Sequence, residues 1–160
     1  MESTLALALW RASGSAADLE SALRAGLDLL GGRLPATAAA VRLLVPEHRL
    51  WETVALAGEG SALYFAGVEH IDDGHPPALP LPLRQQRLLL ADARELGRAA
   101  PGLPPRAAGG PLAAAVICDE PRLTAVLLLA GLPGPDLPAR TRGAIEALVE
   151  PLVPALRHHV

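Results

Sequence analysis

The chain contains no lysine. All fourteen residues in its Lys-plus-Arg count are arginine, a skew we read as base-composition bias, not mechanism. With a formal net charge of −3 and no basic run, it lacks the electrostatic footprint of a nucleic-acid-binding protein. Its one cysteine, Cys118, excludes an intramolecular disulfide and fits a reducing, cytoplasmic setting. Aromatic residues make up only 2% of a chain that is 51% apolar, so the core must be built from small aliphatic side chains. No apolar run approaches the roughly 20 residues that a membrane-spanning helix needs. The N-terminus, MESTLALALWRASGSAA, places Glu2 where a signal peptide carries positive charge, and its apolar stretch is short, so it is not read as a leader. There is no G-x-S-x-G elbow, Gly-rich phosphate loop or paired catalytic carboxylates, and no enzymatic activity is expected.

What remains fits one domain over residues 1–160, with a core at about 15–157 and a helical lead-in at 1–14. The organising stretch is 111–132. Two apolar runs, Leu112–Cys118 and Leu123–Ala130, flank the polar link Asp119-Glu120-Pro121-Arg122, which predicts a β-hairpin. Both faces of its second strand are apolar, so both must be covered. A similar pair, Thr37–Val45 and Leu50–Ala57, surrounds the turn Pro46–Arg49. Leu19, Leu23, Leu27 and Leu30 form one helical stripe, capped by Ser15 or Asp18 and stopped at Gly31-Gly32.

Between the hairpins, Ser61–Pro82 predicts at most a short helix near Ala62–Val68 and then loop. Arg87–Asp92 reads as a short strand, Ala93–Arg98 as a short helix, and Ala100–Gly110 as loop. A final helix opens at Gly134-Pro135-Asp136 with Ile145, Leu148, Leu152 and Leu156 on one stripe. Pro151 and Pro154 predict a bend or an early end near Glu150. The two main stripes are enough to dock both helices. Leu5, Leu7, Leu9 and Trp10 are then left with nothing to cover, which predicts a homodimer through the terminal helices.

Chemistry concentrates in the long middle segment, the place for ligand recognition in a loop-covered fold. Tyr64 and Phe65, the only Tyr and Phe, lie there, as do His70, Asp72 and His75 within Glu69–His75. That cluster matches no standard metal spacing, so we assign these residues to ligand recognition and expect no metal; any cofactor is unknown. Arg84 and Arg87 complete the candidate set, because their forked donors suit a carboxylate or phosphate. Cys118 is expected to be a buried structural thiol.

The order of elements, the segment RLLLADARELG (Arg87–Gly97) and the hairpin Leu112–Gly131 running on into the last helix together resemble a GAF domain. The resemblance spans about residues 15–157. It implies an α+β fold related to PAS, with an antiparallel sheet of up to six strands. Terminal helices would lie on one face and a loop-built ligand pocket, covered by Ser61–Gly110, on the other. It also implies a regulatory role, in which a small-molecule ligand of unknown identity gates an output domain or partner in bacterial signal transduction or transcription control. The alternative is a structural dimerisation module with a collapsed pocket. His75–Leu79 and Leu88–Asp92 are similar to the lid of nitric-oxide-sensing members, but Ala130 stands where those carry an aspartate and Cys118 is displaced.

Overall fold

The computed structural model describes residues 3–36, 38–132 and 136–159. The helix start expected at Gly134 and Pro135, and Thr37 of the first hairpin, lie outside the described residues. Helix α1 spans Ser3–Ser15 and α2 spans Leu19–Leu30. Asp18, not Ser15, caps α2: its Oδ1 accepts the Ser21 N–H at 2.7 Å. Gly31 ends that helix at φ +49°, where a side chain would be strained. Strands β1 (Ala38–Val45) and β2 (Leu50–Ala57) form the first hairpin. Then come α3 (Ser61–Phe65), β3 (Val68–His70), α4 (Leu81–Gln86), β4 (Leu88–Asp92) and α5 (Ala93–Ala99). The second hairpin is β5 (Pro111–Glu120) and β6 (Leu123–Ala130), followed by α6 (Ala139–His159).

All six strands join one antiparallel sheet in the order β3-β2-β1-β6-β5-β4. Strands β1 and β6, one from each hairpin, are therefore the central pair. Along one row, Ala55, Val41, Leu127, Ala115 and Leu88 are register partners, and all face the helices α1, α2 and α6. The adjacent row, Leu56, Ala40, Leu128, Ala114 and Leu89, faces the segment 58–110. Successive strand residues point to opposite faces, so two apolar layers follow directly from strands apolar on both sides. The terminal helices share one face and the lid takes the other. A bulge in β2 opposite Val41/Arg42 places Val54 and Ala55 both toward the helices, which brings Trp51 and Thr53 to the lid side.

Three expectations are corrected. The lead-in is not left over: α1 packs on α2 and α6, and Leu9 is buried beside Gly26. Of the bend or early end expected near Glu150, the early end does not occur: α6 runs through both prolines to His159. The cost of the missing backbone bonds is offset by burial of Pro151, Leu152 and Leu156, and Ser13 Oγ donates to the Pro151 carbonyl at 2.9 Å. The segment after α3 is not plain loop, since it carries β3 and α4. Among the described residues, no helix is long and apolar enough to cross a membrane.

Candidate functional site

The lid begins at Gly58 and Gly60, with φ of +92° and +78°, and this sharp turn starts α3 over the ends of the central strands. Beneath it the sheet surface is made of small residues. Ala38, Leu112 and Ala130 meet there because Ala130 pairs with Ala38 on one side and Leu112 on the other. They floor a cavity of about 290 Å³. Phe65 and Tyr64 of α3 form one wall, Ala108, Gly109 and Gly131 the other, and Glu59 lies at the rim. The rest of the lid-side layer is filled by Trp51, Leu79, Leu83, Leu96 and Leu103, all buried.

Arg42 lies in that layer and is fully buried. The β2 bulge lets its Nη1 donate to Thr53 Oγ1 at 3.0 Å, and it also donates to the Gly67 carbonyl at 2.8 Å. Nη2 donates to the Gly102 carbonyl at 2.5 Å and Nε to the Leu103 carbonyl at 2.9 Å. Thr53 Oγ1 in turn donates to the Phe65 carbonyl. One cation thus ties the ends of α3 and the 100–110 loop, both walls of the cavity, to the sheet. Desolvation lowers its pKa to about 10, partly opposed by Glu69 and Glu52, so it stays charged at neutral pH.

The residues singled out from the sequence fall into three places. Tyr64 and Phe65 line the cavity, the first half exposed and the second buried. His70 closes β3, exposed at the sheet edge. Asp72 and His75 make a separate turn: Asp72 Oδ1 meets His75 Nδ1 at 2.7 Å and accepts the Gly74 N–H at 3.0 Å. Arg49 donates to the carbonyls of Asp72 and His75 at 2.6 Å each, pinning that turn to the β1–β2 connection. The hydrogen bond from His75 holds the Asp72 carboxyl below its usual range. Arg84 lies 4.0 Å from Asp119. Arg87 ends α4 at φ +62° and borders a groove beside α6 on the helical face. The structure therefore brings together Tyr64 and Phe65, and separately Asp72 and His75, but places neither arginine at the cavity.

Sequence reasoning missed Arg42, Glu59 and Ala130. Only the paired glycines around Glu59 signalled a fixed turn there; nothing local marks Arg42 as buried. Asp92 caps α5, accepting the Arg94 N–H at 2.9 Å. Cys118 is buried toward the helices, and burial, then Glu120, raises its pKa. Among the described residues, no group of three or more His, Cys, Asp or Glu is placed to hold a metal ion.

No protein-family model matches the chain, and no curated protein does. Solved structures do match. The GAF domain of a phosphoenolpyruvate-protein phosphotransferase from Coxiella burnetii superposes with a TM-score of 0.63 at 16% identity, covering 97% of this chain and 92% of that one. A segment of a methyl-accepting chemotaxis protein gives 0.62 at 13% identity and covers 98% of each. The enzyme fRMsr of Staphylococcus aureus, in its reduced form, gives 0.58 at 15% identity, covering 96% and 93%. Fold alone does not carry function, and at these identities the likeness speaks to fold. The six-stranded antiparallel sheet, with terminal helices on one face and a lid of short elements on the other, is the GAF fold.

Proposed function

We propose that this chain is a non-enzymatic regulatory domain of the cytoplasm that binds a small molecule in the cavity under α3 and passes its occupancy to an output domain or partner protein. The observation that carries this reading is the cavity's place. It opens on the face opposite the terminal helices, between two lid segments that Arg42 holds jointly. A ligand there touches both segments at once. The phosphotransferase and chemotaxis proteins that share the fold support a signalling context.

Native mass spectrometry of the purified protein tests it. A retained small molecule is expected, and it is expected to be lost in Gly109→Leu. At Gly109 an added Cβ meets nothing within 4 Å, so a larger side chain has space beside the cavity without disturbing the fold. Full retention in that variant would place the ligand elsewhere.

A second reading, a structural dimerisation module, is favoured by two observations. The lid-side layer is mostly filled, since Ala38, Ala40 and Ala114 let the lid pack down on the sheet. Leu7 and Trp10 are also exposed, at 50% and 45%, one turn apart on α1. Of the apolar surplus expected in the lead-in, only this pair remains to drive dimerisation. Sedimentation equilibrium of wild type against Trp10→Ala decides it: a mass that Trp10→Ala leaves unaltered rules out this surface.

A further inference from the structure

Among the described residues that line the cavity, Glu59 alone bears a formal charge. Among the described residues no arginine or histidine lines it, so an anionic ligand would meet repulsion with no lining cation to offset it. Arg42 cannot serve, because its guanidinium is already engaged by three carbonyls and a hydroxyl. Arg84 and Arg87, whose forks suit anions, lie outside the cavity. Glu59 forms no hydrogen bond or ion pair among the described residues, and the left-handed glycines on either side fix the turn that presents it. The Tyr64 ring lies against that same turn: a Cβ on Gly60 would sit 3.4 Å from Tyr64 Cε2. A carboxylate-bearing residue and an aromatic residue on the lining of one cavity, above a floor of alanine and leucine, form a site for positive charge on an apolar body.

We propose that the cavity takes a small organic cation, an ammonium or amidinium group on a short apolar or aromatic body, with Glu59 as counter-ion and Tyr64 as the ring beside it. This rests on the cavity being a ligand site, and it reverses the ligand charge that Arg84 and Arg87 implied. The volume of about 290 Å³ restricts the ligand to a small molecule.

Benzylamine, benzyl alcohol and benzoate share one ring and differ in charge, so they test the assignment on the full chain. Their binding is read from the amide NMR signals of Gly109 and Gly131, on the far wall. Benzylamine is expected to shift both signals saturably, binding roughly tenfold more tightly than benzyl alcohol. Glu59→Gln is expected to close that gap and leave the remaining spectrum in place, since Glu59 is exposed. A gap that persists in Glu59→Gln overturns the role of Glu59. Benzoate or benzyl alcohol binding as well as the amine overturns the cation class while keeping the cavity as a ligand site. No shift with any of the three overturns both.

Discussion

The guanidinium of Arg42 meets the carbonyl oxygen of Gly102 at 2.5 Å, joining β1, one of the two central strands of the sheet, to a loop 60 residues away in sequence. Gly102 has φ +88°, and a Cβ there would approach the Glu69 carbonyl at 3.1 Å, so the loop fits only as glycine. Arg42→Met leaves the Gly67, Gly102 and Leu103 carbonyls without this donor. It is expected to lower unfolding free energy by about 3 kcal/mol in chemical denaturation. Trypsin cleavage after Arg106, in the loop thus released, is expected to accelerate. An unchanged cleavage rate would mean that the loop is held by other contacts, such as the Arg106 N–H to Glu69 Oε1 at 3.1 Å.

Leu127 is fully buried in β6, between Val41 and Ala115. Leu127→Ala is expected to cost roughly 2–5 kcal/mol, because neighbours on a paired strand cannot collapse into the space. The denaturation midpoint reports it directly, and a midpoint equal to wild type would show that the strand is not central to stability.

Gly26 on α2 lies beneath α6, and a Cβ there would stand 2.4 Å from Leu148 Cδ1 and 3.7 Å from Leu9 Cδ2. Gly26→Leu therefore overpacks the three-helix layer and is expected to destabilise by roughly 1–3 kcal/mol. Combining it with Leu148→Ala should recover part of the loss, since the two sites share one space. A double variant no more stable than Gly26→Leu would argue against direct contact.

The Asp72 carboxyl is held below the ordinary aspartate range, first by the hydrogen bond to His75 and further by the His75 charge, the Gly74 N–H and Arg49. Because the folded pKa is the lower one, the contribution to stability is present above the unfolded aspartate value and is lost as pH falls through the folded one. The carboxyl carbon of Asp72, followed by NMR, is expected to titrate below the ordinary aspartate range in the wild type. His75→Ala should move the midpoint upward; a midpoint unmoved by that change would assign the shift to the backbone instead.

Elements that carry their own period or punctuation were legible from local residues. The stripe Leu19/Leu23/Leu27/Leu30 and the stop at Gly31 specify α2, and the two apolar runs around Pro121-Arg122 specify the second hairpin. Strands apolar on both faces already required two covering layers. Helix α4 was legible in principle, because Pro82 lies in its first turn, where a missing N–H costs nothing. Tertiary structure alone decided the rest. Strand β3 has only three residues and exists through its pairing with β2. Helix α6 survives two prolines because the sheet beneath it repays burial that a lone helix could not obtain. Arg42 reads locally as one more surface arginine. It becomes a buried anchor only where β1, β2, the end of α3 and the 100–110 loop converge to supply its acceptors, and no window of sequence contains all four.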